Sequence, residues 1–269
     1  MLRLILSAAS AGVLAAAAAR LRIARPAGAA AGAAVACALM VGCGVPGLAM
    51  LLAFYPLTAY AAQVFAAFRR RQGGLPPLRD LLHPAKMPGL PRGAKQVLAN
   101  GGVAAALAVW AAISDWPAVA AAGLTHQGWS EFLRPLGAGS PALPALAAAL
   151  ASAAADTASH EIGEALGGTT LLPPRFIRVR PGATGGVSLA GCLVLAAVIG
   201  AFTLLAATVG LATGSREAAA VAVGAFGGNL ADTLVGALVE ARWRCWGNNL
   251  TNLASTAFAA AVAGGIVLA

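Results

Sequence analysis

Charge is what this sequence has least of. Only 10% of its 269 residues are Asp, Glu, Lys or Arg, where a soluble domain carries roughly 25%. That scarcity, with 59% hydrophobic residues and a mean hydropathy of +0.80, excludes an ordinary water-soluble globule, which needs polar side chains to cover its surface. Aromatic residues are few as well: two Tyr, eight Phe and five Trp leave little for the base-stacking platforms of nucleic-acid binders. Three His and four Cys (Cys37, Cys43, Cys192, Cys245) lack the paired spacing of a structural zinc site, so the cysteines read as small apolar residues. Acids are the scarcest charge, nine against eighteen bases, giving a net charge of +9. In a chain this apolar, such an excess predicts topology before it predicts a partner. No nucleic acid is expected.

What the sequence has is runs of apolar residues long enough to span a bilayer, about 20 each. They predict an all-α fold, a polytopic integral membrane helical bundle of about 7–8 transmembrane helices. The first run is Met1 to Ala19; its length and the following Arg20, Arg22 and Arg25 favour a retained span over a cleaved signal peptide. Ala27 to Phe68 is too long for one span and is interrupted by Gly42, Gly44, Pro46 and Gly47, which predicts two helices joined by a tight turn. After a basic, Pro-rich loop, further spans are predicted over Gln96–Ile113, Ala142–Thr157, Gly186–Ala212, Ala218–Val239 and Leu250–Ala269. The chain reads as one membrane domain, with residues 1–92 holding three spans and the basic loop, and 93–269 holding the motifs.

The positive-inside rule orients this arrangement. With the N-terminus outside, every Lys and Arg falls on an inner loop except Arg3, Arg134 and Arg216. Merging or losing a span would scatter the cations over both faces.

Against this apolar background, three polar clusters stand out, because a charge at mid-membrane costs at least ~2.5–3.5 kcal/mol on insertion scales. In the first, Asp156 to Gly163, helical spacing puts Asp156, Ser159, His160 and Gly163 on one face and Thr157, Glu161 and Glu164 on its neighbour. In the second, Asn229, Asp232 and Gly236 share a face of an apolar run. The third is the loop Pro181-Gly182-Ala183-Thr184-Gly185-Gly186-Val187-Ser188, preceded by Arg175, Arg178 and Arg180. Glycines let backbone N–H groups turn onto an anion, and a following helix N-terminus favours negative charge; guanidinium groups fork onto phosphate oxygens. Gln96 and Asn100, and Asn248, Asn249 and Asn252, open two more spans and can also serve as helix caps. All these sets fall at the inner ends of their spans.

Carboxylates with amides suit Mg²⁺, which prefers oxygen ligands and bridges to phosphates. An Arg- and Gly-rich loop beside them suits a nucleotide. Phosphoryl transfer needs little more.

In order, the segments Gln96 to Gly101, Ala155 to Gly163, Pro181 to Ser188, Asp232 to Ala237 and Asn248 to Asn252 resemble the motifs of the DUF92 family, which includes the eukaryotic transmembrane protein 19 and the plant phytyl-phosphate kinase of tocopherol synthesis. The resemblance implies an integral membrane kinase that converts an isoprenyl monophosphate, such as phytyl or geranylgeranyl phosphate, to its diphosphate with Mg²⁺ and a nucleoside triphosphate. The glycine loop is also distantly similar to that of CTP-using membrane enzymes such as dolichol kinase, which favours CTP as donor. One departure is His160, where the family usually has Ser before the Glu of its acidic motif.

The expected roles follow from charge. Asp156, Glu161 and Asp232 would be catalytic and, with Asn229, hold Mg²⁺. Arg175, Arg178, Arg180, Pro181, Gly182, Thr184, Gly185, Gly186, Ser188, Asn100, Asn249 and Asn252 would meet nucleotide or phosphate. The prenyl tail would lie in grooves between small-residue helices. The active site is expected on the cytosolic face of a bacterial inner membrane or an organellar membrane. Two alternatives stay open: CTP-dependent cytidylyl transfer to a lipid phosphate, and a small-molecule or ion transporter, since intramembrane acids also mark ion pathways.

Overall fold

A computed structural model describes residues 2–20, 24–69, 92–121, 133–166, 168–240, 243 and 246–269. The loop cations Arg22, Arg70, Arg71, Arg79, Lys86, Arg242 and Arg244 and the cysteine Cys245 lie outside those residues.

Apolar runs in lipid form helices because only there can every backbone N–H and C=O be satisfied within the segment. Seven described helices are long and apolar enough to cross a membrane: α1 (Leu2–Arg20), α2 (Pro26–Arg69), α3 (Ala94–Ala121), α4 (Ala142–Leu166), α5 (Leu189–Thr208), α6 (Ser215–Val235) and α7 (Asn248–Leu268). The two helices expected between Ala27 and Phe68 are the two arms of α2, which meet at Gly44 (φ 59°, ψ −142°). This conformation suits glycine alone among common residues. The arms double back on each other: a Cβ on Gly47 would lie 2.7 Å from the carbonyl oxygen of Leu39, whereas eight residues along a straight helix are about 12 Å apart.

The bundle is organised around α4. Every residue from Ala142 to Ala155 is buried, and α4 packs against α2, α3, α5, α6 and α7. Its alanines let those neighbours approach closely, the usual basis of helix association in lipid. α6 sits tightly against both α4 and α7 at Gly228, where a Cβ would fall 2.5 Å from Ser152 Oγ of α4 and 2.7 Å from the Ser255 carbonyl oxygen of α7.

Consecutive helices run in opposite directions and give the bundle two unlike ends. At one, the Arg3 guanidinium donates to the carbonyls of Val41, Gly42 and Arg134, and Arg216 donates to Ile266 O. The motif-bearing ends of α3, α4, α6 and α7 and the start of α5 form the other.

Several expected boundaries move. α3 continues through Asp115, Trp116 and Pro117, past the Ile113 at which the predicted span ends. α4 runs nine residues beyond Thr157 and so carries its polar motif on a helix. The loop before α5 contains a small antiparallel sheet, β1 (Thr170–Leu172), β2 (Ile177–Val179) and β3 (Val187–Ser188), in the order β2-β1-β3. Thr170 pairs with both Val179 and Ser188, which brings the glycine loop back beside the end of α4.

Candidate functional site

The extension of α4 builds one wall of a cleft. Asp156, Ser159, His160, Gly163 and Glu164 all line it, spaced as one helical face requires. α6 supplies Asn229, Asp232 and Thr233 opposite. The carboxyl groups of Asp156 and Asp232 lie within hydrogen-bonding reach of each other. This is a costly arrangement for two acids inside a helical bundle unless a proton or a cation sits with them. Ser255 of α7 reaches Asp232, yet Asp232 Oδ1 is buried without a hydrogen-bond partner.

Asn229 fixes the α6 wall. Its Nδ2 donates to Ser152 O (3.2 Å), Ser152 Oγ (3.3 Å) and Ala225 O (2.9 Å), so its side chain locks α6 to α4 one turn before Asp232. One turn after, α6 widens into a π-helical segment, Gly236–Glu240, a distortion often found at functional sites.

The far wall is the glycine loop and the start of α5. Gly182 and Gly185 have φ of 83° and 73°. A Cβ on Gly185 would meet Ala237 N at 2.6 Å and Thr233 O at 2.8 Å, so the loop backbone packs directly on α6. Ser188 caps α5, accepting from Gly191 N at 3.1 Å, and Gly191 approaches Gly163 closely enough to bring the α5 N-terminus to the cleft. The partial positive charge of that terminus suits an anion. The cleft itself, about 100 Å³, is well below the ~300 Å³ of a typical small-molecule pocket. It has room for a phosphate-sized group, with the rest of any larger ligand outside.

The sequence-derived set divides on this geometry. Asp156, Asn229, Asp232, Gly182, Gly185, Gly186 and Ser188 line the cleft. Glu161 does not: it has both Arg92 and Asp156 as electrostatic neighbours, and its Oε2 is buried without a hydrogen-bond partner. Five residues separate it from Asp156, which turns it about 140° around the helix. Asn100 and Asn252 bind each other, Asn252 Nδ2 donating to Asn100 Oδ1 at 2.9 Å, rather than facing the cleft. Asn249 is exposed at the start of α7. Arg175, Arg178 and Arg180 are exposed on and beside the β1–β2 hairpin, and Pro181 and Thr184 are exposed in the loop; none of the five lines the cleft. Glu164, Thr170 and Cys192 do line it and were not foreseen as site residues. Glu164 was within reach of the spacing rule, eight residues from Asp156 on a helix that continues.

Among the described residues no three His, Cys, Asp or Glu side chains gather to hold a metal between them. Asp156 and Asp232 nevertheless fit the usual Mg²⁺ arrangement of one or two carboxylates completed by substrate phosphates and water. The partnerless Asp232 Oδ1 supplies an unused oxygen there. Glu164, whose carboxylate lies against Gly182, adds negative charge, so an anion would enter this cleft only with a cation.

A model of the family described as Integral membrane protein DUF92 matches residues 9–260. The chain belongs to this family. The match reaches into every helix of the bundle and contains all the cleft residues. No curated protein and no solved structure matches the chain.

Proposed function

We propose that this family member is a membrane-embedded phosphotransferase that moves a phosphoryl group from a nucleoside triphosphate, with CTP favoured, to a prenyl monophosphate such as phytyl or geranylgeranyl phosphate. The observation that carries this reading is the contact between Asp156 and Asp232 in a cleft walled by a glycine loop and a helix N-terminus. Carboxylates beside phosphate-binding backbone are the parts that phosphoryl transfer uses.

In this reading an acceptor phosphate oxygen bonds to the γ-phosphorus while the bond from that phosphorus to the β,γ-bridging oxygen breaks, giving the prenyl diphosphate and a nucleoside diphosphate. Asp156 and Asp232 would hold Mg²⁺, and a bound Mg²⁺ supplies charge neutralisation at the transferring group. The N–H groups of the glycine loop and of the first turn of α5 would orient phosphate oxygens. Asn229 would keep α6, and hence Asp232, in register with α4. A monophosphate dianion is itself the nucleophile, so the reading requires no protein base. The exposed arginines of the hairpin would meet the nucleotide's outer phosphates or the approaching acceptor through long-range charge.

The test is incubation of the purified protein with radiolabelled nucleoside triphosphates and phytyl or geranylgeranyl monophosphate, beside Asp156→Ala and Asp232→Ala. Diphosphate lipid from the wild type only is expected. Its absence with every nucleotide overturns the reading, and a nucleotide-linked lipid with released pyrophosphate would replace it with cytidylyl transfer.

A further inference from the structure

Between α1, the two arms of α2 and α3 lies a second cavity, of about 520 Å³. Its walls include Ala18, Gly32, Val35, Leu52 and Val97, and its polar groups, Arg92 and Asn100, come from the start of α3 and the residues just before it. The volume falls in the range that holds one small amphiphilic molecule. An apolar chamber of this kind within a membrane bundle would take up hydrocarbon, but a guanidinium on its wall selects for an anionic head.

Arg92 is built into this position. Its carbonyl oxygen accepts from Arg25 N at 3.2 Å, and its guanidinium carbon lies 6.0 Å from the centre of the Phe54 ring. Glu161 is its electrostatic neighbour, which keeps the cation from standing uncompensated among apolar residues. A chain of polar contacts links the cavity wall to the cleft: Asn100 is bonded to Asn252, Ser255 Oγ donates to Asn252 O at 3.0 Å, and Ser255 reaches Asp232.

We infer that this cavity binds the hydrocarbon chain of a single-chain lipid phosphate, with Arg92 receiving the phosphate head. The inference rests on the phosphotransferase reading in one respect, that the bound lipid would be the acceptor; binding itself needs neither nucleotide nor Mg²⁺.

The test measures equilibrium binding of radiolabelled geranylgeranyl monophosphate to the full chain in lipid nanodiscs, without nucleotide. Gly32→Phe is the occluding variant, because a Cβ on Gly32 meets nothing within 4 Å and the added ring grows into the cavity. Gly32→Phe and Arg92→Gln should each weaken binding about tenfold or more, the scale of one lost charge-assisted interaction, and Arg92→Lys should restore part of it. Geranylgeraniol should compete weakly, and inorganic phosphate alone should not compete. Gly265→Val, outside the cavity lining and with nothing within 4 Å of an added Cβ, should bind as the wild type does.

Wild-type affinity in Gly32→Phe overturns the inference, as does a wild type that does not bind the lipid. Competition by inorganic phosphate as strong as by the lipid would show a bare anion site and also overturns it. The two claims fail separately: turnover that is indifferent to Gly32→Phe sinks the cavity and spares the kinase, whereas Gly32-sensitive binding without turnover does the reverse.

Discussion

At the scale of single residues, the energetics of this protein turn on a few polar groups set in hydrocarbon. Asp156 and Asp232 face each other within hydrogen-bonding reach, and like charges in contact raise the free energy of the folded state unless something neutralises them. Asp156→Asn should therefore not lower the thermal stability of the protein in chelator, and should abolish any Mg²⁺-dependent rise in Tm. The check is thermal unfolding in nanodiscs with EDTA and with Mg²⁺. A Tm that still rises with Mg²⁺ in Asp156→Asn would remove this residue from the metal.

The Asn100–Asn252 pair behaves differently, because the Asn252 amide donates to Asn100 Oδ1 across the two helices. Asn252→Leu should cost about 0.6–2 kcal/mol, the range of interhelical hydrogen bonds in membranes, by leaving Asn100 Oδ1 buried and unpaired. Adding Asn100→Leu should recover part of the loss, since replacing both partners is milder than orphaning one. Unfolding titrations of the two single variants and the double variant measure the coupling.

At the scale of elements, the close crossing of α6 over α4 and α7 depends on Gly228, whose absent side chain leaves room for Ser152 and the Ser255 carbonyl. Gly228→Val should destabilise by about 1–3 kcal/mol, the usual cost of overpacking. It should also reduce activity, since Asp232 sits one turn further along α6; Gly265→Val, where a Cβ meets nothing within 4 Å, is the control. Ser188→Ala removes the α5 cap and should cost about 0.5–2 kcal/mol. The same elements show how far the sequence could be read. Helices in lipid announce themselves through length and hydropathy, and the break at Gly44 through its run of Gly and Pro. The predicted span stopped at Thr157 because polar residues lower the hydropathy beyond it, while the helical spacing of Asp156, Ser159, His160 and Gly163 already pointed to the continuation that packing against α5 and the glycine loop sustains. The three short strands left no alternating pattern long enough to register, since three residues give barely one period. That is why the Arg175–Arg180 segment read as a plain phosphate-binding loop. Asp156 and Asp232 were legible as a pair because acids in apolar runs are costly. Glu161, on the neighbouring face of α4, stays an electrostatic neighbour of Asp156 but does not line the cleft.

At the scale of the whole molecule, charge separates the two ends of the bundle. Three cations mark the end opposite the cleft: Arg3 and Arg134 lie together there, and Arg216 sits at the start of α6. The described cations Arg25, Arg92, Lys95, Arg175, Arg178 and Arg180 lie toward the cleft end. The positive-inside rule counts Lys and Arg near span ends, and from this asymmetry we propose that the cleft faces the cytoplasm. Cys192 offers a direct readout, because it is exposed and lines the cleft. In a variant with Cys37, Cys43 and Cys245 replaced by Ala, a membrane-impermeant maleimide should label Cys192 in inside-out vesicles and leave it unmodified in intact cells. Moving the single cysteine to position 216 should reverse that pattern. Labelling of Cys192 from outside the cell would invert the bundle, and a nucleotide from the cytoplasm could then not reach the Asp156–Asp232 cleft.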